Sequence, residues 1–430
     1  MSDAHSFPAS DRRSFLKTTA AAGALASAAI FRSGVFAGET NTLKIGLVGC
    51  GGRGTGAAAD ALQADPNVQL VAMGDAFADH ITAKLGPLQK RFGSKVDVPA
   101  ERQFAGFDAY KHVIDACDVV LLATPPHFRP MHLAYAVEKG KHVFYEKPVA
   151  VDVKGVRSVL QTAELAKKKG ICFASGFCYR YDYGKRETIK RLHDGAIGQV
   201  LTIHATYNAG PIWHRGTNPK WSDMEYQVRN WYYFTWLSGD HIVEQHCHNH
   251  DKAAWVMNGM MPVAASGTGG RHWRTDPKYG NIFDHHAVVY EYANGTKLFS
   301  FCRQFSQKTD IEVSDHIQGT GGTCSLMDHM IKIGGKVAWK YEGSIPNMYQ
   351  VEHNELFANI RAGKPFNDGQ SAAYSSLMSI MGRIATYTGK RVEWDWLLRE
   401  SKDDLTPPHY DMNGKLDTPA IAMPGVTRLV

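Results

Sequence analysis

The sequence predicts an α/β fold in two halves: a doubly wound parallel sheet, then a half built on one open sheet. From residue 43 to 175, short apolar runs alternate with stretches whose apolar residues recur at helical spacing, as in a parallel sheet covered by helices. In the second half, strand patterns recur at 200–207, 263–266, 285–292, 297–304 and 310–318.

A glycine-rich stretch follows the first apolar run. Residues 43–48 predict a buried strand, Gly49, Gly51 and Gly54 form the pattern G-x-G-x-x-G, and residues 57–62 favour a helix. In this context the glycines permit a tight turn and a close approach to a pyrophosphate, which the helix N-terminus attracts. The pattern therefore predicts a dinucleotide site. Its predicted cofactor-binding residues are Gly49, Gly51, Gly52, Arg53 and Gly54.

An acidic residue follows the second apolar run, 68–73. Asp75 lies about 20 residues beyond Gly54, where a carboxylate accepts hydrogen bonds from the adenosine ribose. Asp75 repels a 2′-phosphate and no Arg follows it directly, so the sequence favours NAD over NADP.

Two further strand ends carry polar residues of the first half. Residues 118–124 predict a buried strand between helices at 108–117 and 131–139. Thr124 at its end, with Pro125 and His127 beyond it, falls where ligands bind in such sheets. The next strand, 141–145, ends at Glu146-Lys147-Pro148, and we expect Glu146 and Lys147, like Thr124, Pro125 and His127, to contact the cofactor. A lysine there can polarise a substrate oxygen, although a surface salt bridge to Glu146 is the alternative.

Composition and charge describe an ordinary globular protein. Hydrophobic residues make up 44% and charged residues 21% of the chain. A net charge of +6 over 430 residues is small and does not indicate a nucleic-acid-binding surface. The seven cysteines are widely spaced and form no C-x-x-C, which argues against a disulfide framework.

The N-terminus resembles a twin-arginine signal. Arg12 and Arg13 precede an apolar segment, 18–30, and Val35-Phe-Ala37 fits a cleavage site. This resemblance implies export in the folded state by the twin-arginine machinery to the periplasm or cell surface. A membrane anchor or a disordered tail is the alternative, and no apolar run after the leader is long enough to span a membrane.

The motifs of the first half, taken together, resemble the Gfo/Idh/MocA oxidoreductase family. The strand–GCGGRG–helix unit, the loop ATPPHF and Glu146-Lys147-Pro148 carry the resemblance, which covers roughly residues 44–396. It implies an N-terminal Rossmann domain and a C-terminal α+β domain with an open, mostly antiparallel sheet. We expect a signal at 1–37, an NAD-binding domain at 43–176, a substrate-binding domain at 177–400 and a tail at 401–430.

Residues 238–251 hold the second group of candidate catalytic residues. If they form a helix, Glu244 and His248 lie one turn apart, and a carboxylate so placed orients an imidazole. The segment resembles the family's G-G-x-x-x-D-x-x-x-H-x-x-D pattern, which implies that His248 is the acid/base and Lys147 its polarising partner. Glu244 stands where that pattern has Asp.

The same stretch permits a metal site. His246, His248 and His250 would share one face of an extended segment and bind zinc. We favour the helix and expect no metal, and we interpret His241 and His250 as structural histidines.

An aromatic segment, 208–236, is the candidate sugar-binding region. Aromatic faces cover the apolar faces of a sugar while Arg and Asn bond its hydroxyls; packing at a subunit interface or between domains is the alternative. The residues predicted to bind substrate are Arg180, Tyr207, Trp213, Arg229, Trp231 and His248.

These residues predict hydride transfer between NAD and a carbinol carbon, and the family resemblance implies a sugar, polyol or glycoside as the substrate. Because no exchangeable pool of NAD is expected outside the cytoplasm, we expect the NAD to be tightly bound. Two alternatives are an NAD-dependent glycosidase acting through a transient ketone and a non-catalytic sugar-binding protein. Retention of the Glu-Lys-Pro motif favours net oxidoreduction, because we expect such glycosidases to depart from it. We expect a homo-oligomer with a small carbohydrate as its substrate.

Overall fold

The computed structural model describes residues 41–430, so the predicted signal at 1–37 lies outside the described residues. The strands are β1 (Leu43–Val48), β2 (Val68–Asp75), β3 (Gln103–Ala105), β4 (Val119–Leu122), β5 (His142–Tyr145), β6 (Phe173–Ser175), β7 (Val200–Ala209), β8 (Ala264–Gly270), β9 (His285–Glu291), β10 (Lys297–Gln304), β11 (Glu312–Gly319), β12 (Thr323–Ser325), β13 (Met330–Ile333), β14 (Lys336–Lys340) and β15 (Val392–Glu393). The α-helices are α1 (Gly52–Ala64), α2 (Ala78–Phe92), α3 (Ala109–Ala116), α4 (Arg129–Glu138), α5 (Val153–Lys168), α6 (Tyr183–His193), α7 (Asp223–Arg229), α8 (Thr235–Ser238), α9 (His241–Glu244), α10 (Cys247–Val256), α11 (Met348–Arg361), α12 (Gly369–Thr388) and α13 (Trp394–Arg399).

The first six strands form a parallel sheet in the order β3-β2-β1-β4-β5-β6. All of these strands except the edge strand β3 are mostly buried, because helices cover both faces of a doubly wound sheet. The order of the strands reverses between β1 and β4, and such a switch point opens a crevice at the carboxyl ends of the strands. The predicted Rossmann sheet is confirmed.

The second sheet has nine strands in the order β14-β13-β12-β11-β7-β10-β9-β8-β15. Its neighbours pair antiparallel except β7 and β10, which confirms an open, mostly antiparallel sheet. Burial alternates along β9 and β10, so one face of the sheet is covered. The long helix α12 packs on β8 and β9 and also contacts α5 of the first half.

The C-terminal stretch from residue 401 has no helix or strand but packs against the rest of the chain. The Asp403 carboxylate accepts a hydrogen bond of 2.8 Å from the buried Arg383 guanidinium, and Leu416 joins an apolar cluster with Phe77 and Phe128. The polar composition of this stretch did not indicate that packing.

Two further observations concern all of residues 41–430. No helix there has the length and apolarity needed to cross a membrane. All seven cysteines are buried free thiols.

Candidate active site

The glycine loop lies at the switch point between β1 and β4. Gly49 has a φ of +96°, and a Cβ on it would lie 2.6 Å from the carbonyl carbon of Ala123. A Cβ on Gly54 would lie 1.8 Å from the Gly49 oxygen, so only glycine lets α1 start this close to β1. At Gly51 and Gly52, by contrast, a Cβ would meet nothing within 4 Å. The loop therefore packs closely against the sheet, whereas its other side is open space.

A cavity of about 440 Å³ lies over this loop. Of the predicted cofactor-binding residues, the ones that line it are Gly49, Gly51, Gly52, Arg53, Gly54, Asp75, Thr124 and Pro125. Among residues 41–430 no side chain caps the first turn of α1, so its N–H groups remain available to a phosphate. The open glycine cradle and the uncapped helix fit a dinucleotide, and we call this space the nucleotide cavity.

Asp75 ends β2 at the edge of this cavity. One carboxylate oxygen accepts from the Cys50 N–H at 2.7 Å, and the other from the Phe77 N–H at 3.0 Å. His80, on α2, lies 3.0 Å from that second oxygen. The backbone therefore fixes the carboxylate where the sequence predicted a ribose contact.

Arg53 lines the cavity, but its guanidinium is already paired. It donates to the Glu146 carboxylate and to Glu352 at 2.9 Å, and it lies 4.4 Å from the centroid of the Tyr349 ring. These contacts tie the glycine loop to the Glu-Lys-Pro turn and to α11. Glu352 is only 1% exposed, so this acidic residue of α11 is buried against Arg53 rather than solvated.

A second cavity, of about 280 Å³, adjoins the first. The residues that line both are Arg53, Ala123, Thr124 and Trp231. The second cavity is also lined by Lys147, Glu244 and His248. Residues of the turn after β5 and of the segment 238–251, about one hundred positions apart in the chain, thus face one space.

Lys147 is held by Glu244. Its ammonium donates to the Glu244 carbonyl at 2.6 Å and to the Glu244 carboxylate at 3.0 Å. Burial would lower the pKa of Lys147, but the charge and hydrogen bond of Glu244, together with the other acidic groups nearby, outweigh it and hold the pKa above its ordinary value. The alternative of a surface salt bridge to Glu146 is wrong, because the side chain is only 13% exposed and pairs with Glu244.

His248 lies on α10, and its imidazole is neutral at pH 7. Burial, Lys147 and Lys252 lower its pKa well below the ordinary value. Its Nδ1 is buried without a hydrogen-bond partner in the described residues. Aromatic edges pack around the ring, with Tyr179 5.2 Å away between centroids.

The predicted orientation of His248 by Glu244 is wrong. Segment 238–251 is helical but broken, since α9 ends at Glu244 and α10 begins at Cys247. Within residues 41–430, the Glu244 carboxylate therefore bonds Lys147 and makes no hydrogen bond to His248.

The extended segment that the zinc alternative required does not form. His246 and His250 both approach the Ser300 hydroxyl, at 2.7 and 3.0 Å, whereas His248 faces the second cavity. His241 is buried against Asp240, with its Nδ1 2.7 Å from the carboxylate. The interpretation of His241 and His250 as structural histidines agrees with these contacts.

Three predicted binding residues lie outside both cavities. His127 points towards the C-terminal stretch, with its Nε2 2.7 Å from the Tyr410 hydroxyl. The Arg180 guanidinium donates hydrogen bonds of 2.8 to 3.0 Å to both oxygens of the Asp251 carboxylate. Tyr207, on β7, has its ring 6.4 Å from that of His246 between centroids. Their polar groups suggested ligands, but the chain itself supplies the partners of His127 and Arg180.

The aromatic segment divides between two environments. Trp213, Arg229 and Trp231 line the nucleotide cavity, and Trp231 alone of these also lines the second one. Most of the other aromatic residues are buried in an apolar cluster. Packing between the halves, the alternative that we kept for this segment, therefore accounts for most of it.

The comparisons with known proteins agree with this geometry. Residues 43–177 match the model of the oxidoreductase family with an NAD-binding Rossmann fold. Over 167 residues the chain is 28% identical to 2,7-anhydro-N-acetylneuraminate hydratase of Mediterraneibacter gnavus, covering 39% of this chain and 40% of that protein. Over 172 residues it is 26% identical to glycosyl hydrolase family 109 protein 1 of Bacteroides fragilis, covering 39% and 35%. The matches thus span less than half the length of these two relatives.

Among solved structures, the aldose-aldose oxidoreductase from Caulobacter crescentus has a TM-score of 0.62 and 18% identity. The superposition covers 82% of this chain and 100% of that one, and at this identity it shows the fold alone. The family match is the more specific finding. Over residues 43–177, the chain matches the Gfo/Idh/MocA model, whose NAD-binding Rossmann fold agrees with the parallel sheet described above.

Proposed function

We propose that the protein is an NAD-dependent oxidoreductase that moves a hydride between bound NAD and a carbinol carbon of a sugar, polyol or glycoside. The observation that carries this proposal is that Lys147 and His248 line one small cavity, which adjoins the nucleotide cavity. When bound, the nicotinamide supplies the hydride acceptor. The glycine loop and Asp75 would hold the nucleotide.

Lys147 has one donor left for the substrate. A lysine ammonium carries three N–H groups, and two of them bond the Glu244 carbonyl and carboxylate. The third is available to the substrate oxygen, whose negative charge it stabilises as the hydroxyl proton leaves.

His248 receives that proton. A general base must be unprotonated before the reaction, and the lowered pKa of His248 keeps it so at neutral pH. Glu244 positions the lysine in this scheme, and its carboxylate balances the ammonium charge.

The proposed substrate class rests on the site and on the relatives' names. The second cavity is small and carries charged groups of both signs, including Arg129 and Glu146 at its lining, which suits a polyhydroxylated molecule. The relatives are named for a sialic acid derivative and for glycoside hydrolysis, and the similar structure for aldoses.

Two features favour NAD over NADP. Asp75 presents a negative charge at the ribose position. Arg229 also lines that cavity, but it bonds Glu225 at 2.8 Å and Asp79 at 3.1 Å, so its charge is already balanced.

Glycoside cleavage through a transient ketone is the second candidate. It is favoured by the names of the hydratase and family 109 relatives, whose net reactions exchange no electrons. Incubating the purified protein with aryl glycosides and no added acceptor separates the two. Release of the aryl group without net NADH would overturn net oxidoreduction.

The direct test of the proposal begins with mass analysis of the nucleotide released when the protein is denatured. A panel of sugars and polyols is then followed by the absorbance of reduced nicotinamide. We expect NAD to be recovered and at least one sugar or polyol to reduce it. Recovery of no dinucleotide, even after incubation with NAD, would contradict the proposal.

We also propose export by the twin-arginine route. Arg12 and Arg13 with the following apolar segment support it. Replacing both arginines with lysine should leave the protein in the cytoplasm, as cell fractionation would show, whereas periplasmic recovery of that variant would contradict the route.

A further inference from the structure

Part of the aromatic segment reaches over the nucleotide cavity. We call residues 210–231 the strap; they run from the end of β7 through α7. Five residues of the strap line the cavity: Trp213, Arg215, Val228, Arg229 and Trp231. The rest of the lining comes from the first half of the chain, so the cavity is enclosed by both halves.

The strap is fastened to the first half at Arg229. The guanidinium donates from Nη1 to one oxygen of Asp79 at 3.1 Å and from Nη2 to the other at 3.4 Å. Its central carbon lies 3.8 Å from the centroid of the Phe77 ring. Phe77 and Asp79 closely follow Asp75, so this contact lies beside the proposed ribose site.

Other contacts hold the strap in its closed position. The fully buried Asn230 accepts from the Arg215 N–H at 2.8 Å and donates to the Gly216 carbonyl at 3.2 Å. The Tyr233 hydroxyl lies 3.0 Å from the Trp213 carbonyl. Met224 and Val228 share an apolar cluster with Phe77 of the first half, so lifting the strap would expose apolar surface.

We propose that the strap retains NAD from one turnover to the next, with the Arg229–Asp79 pair as its fastening. This inference rests on the proposed function, since it assumes that the cavity holds NAD. A dinucleotide under the strap leaves only when the pair and the apolar contact open together. Arg229 is thus a cofactor-retaining residue, rather than the sugar-binding residue that we predicted from the sequence.

The test measures exchange of the bound cofactor, which does not depend on turnover. The purified protein is incubated with excess isotopically labelled NAD, freed of unbound nucleotide at intervals and denatured, and the ratio of labelled to unlabelled NAD is read by mass spectrometry. We expect slow exchange in the wild type. Arg229→Gln should speed it about tenfold, because it removes both the ion pair and the contact with Phe77.

Asp79→Asn is the sharper variant. Asp79 is 63% exposed and does not line the cavity, so the change leaves the fold and the lining intact. It should speed exchange about threefold, the size expected for an exposed ion pair. The double variant should exchange no faster than Arg229→Gln, because both changes remove the same pair.

Arg391→Ala is the matched control. Arg391 also bonds two carboxylates, Glu291 and Glu393, but it lies at β15 and lines neither cavity. Its exchange should equal that of the wild type. The proposed role of the strap would be contradicted if Asp79→Asn and Arg229→Gln exchanged NAD as slowly as the wild type. Fast exchange in the wild type itself would also contradict it. Recovery of no NAD, labelled or not, would overturn the proposed function instead.

Discussion

The imidazole of His248 is kept neutral by what surrounds it. Burial removes water from the ring, and the positive charges of Lys147, Lys252 and Arg53 oppose a further proton. Lys147 in turn keeps its charge because Glu244 faces it. One residue is therefore neutral and its neighbour a cation at the same pH, which is the pairing that the proposed removal of a hydroxyl proton requires.

The first prediction is a pH profile. Because the pKa of His248 lies well below 6.5, the rate of substrate oxidation should stay level from pH 8 to pH 6 and fall only in more acidic solution. In Lys147→Met the pKa of His248 rises, so the fall should begin at a higher pH. The rate should also drop by about 10²- to 10³-fold, the effect of losing one donor to a developing oxyanion.

A matched control for that profile is Lys111→Met. Lys111 pairs with Asp108 on the surface and lines neither cavity. Its profile should match that of the wild type. An acid limb at the same pH in Lys147→Met and in the wild type would contradict the coupling between Lys147 and His248.

The second prediction concerns Gly54. A Cβ at this position would meet the Gly49 carbonyl at 1.8 Å, so Gly54→Ala must push α1 away from β1. We expect a loss of about 1–3 kcal/mol in the free energy of unfolding, measured in urea, together with loss of bound NAD. Gly86→Ala is the control, because a Cβ there meets nothing within 4 Å and alanine favours the interior of α2. A stable, NAD-loaded Gly54→Ala protein would contradict the account of the loop.

At the scale of elements, periodicity and turn residues predicted the first half well. The short apolar runs of β1, β2, β4 and β5 are typical of strands buried inside a parallel sheet. The glycines after β1 predicted the tight loop that the structure has there. The break between α9 and α10 was not predicted, because Gln245 and His246 are compatible with a continuous helix. The position of this break depends on contacts with residues distant in sequence, such as the contact of His246 with Ser300.

Contacts between residues distant in sequence also explain which residues of the candidate site were missed or wrongly assigned from the sequence. Lys147 and His248 were identified by their motifs, and the structure brings them to one cavity. Glu352 was missed because nothing local distinguishes a buried acid on α11 from a solvated one until Arg53 is placed beside it. Arg180 was assigned to substrate because its partner, Asp251, lies far along the chain.

The third prediction tests the C-terminal stretch. Asp403 balances the guanidinium of Arg383, which is only 2% exposed, so Asp403→Ala leaves a buried charge without its carboxylate. The free energy of unfolding in urea should fall by about 3 kcal/mol. The neighbouring Asp404→Ala breaks an exposed pair with Lys154 and should cost at most about 1 kcal/mol. Equal effects of the two changes would show that the stretch is not part of the folded core.

At the scale of the whole molecule, the two halves meet around the two cavities. Arg53 joins the glycine loop to Glu146 and Glu352, and Trp231 of the second half lines both cavities. The nucleotide cavity and the Lys147–His248 cavity are therefore built by the same contacts that hold the halves together. Redox chemistry needs this arrangement, because the hydride must pass directly between two bound molecules.

A single-turnover measurement tests the central claim most directly. Wild type, Lys147→Met and His248→Ala, each loaded with NAD and checked for its content, are mixed with the most active compound of a sugar and polyol panel, and reduced nicotinamide is followed by absorbance. We predict reduction in the wild type and a rate about 10²- to 10⁴-fold lower in His248→Ala at equal NAD content. Equal rates in all three proteins, or no reduction by any compound in a fully loaded wild type, would contradict the claim that Lys147 and His248 carry out hydride-transfer chemistry.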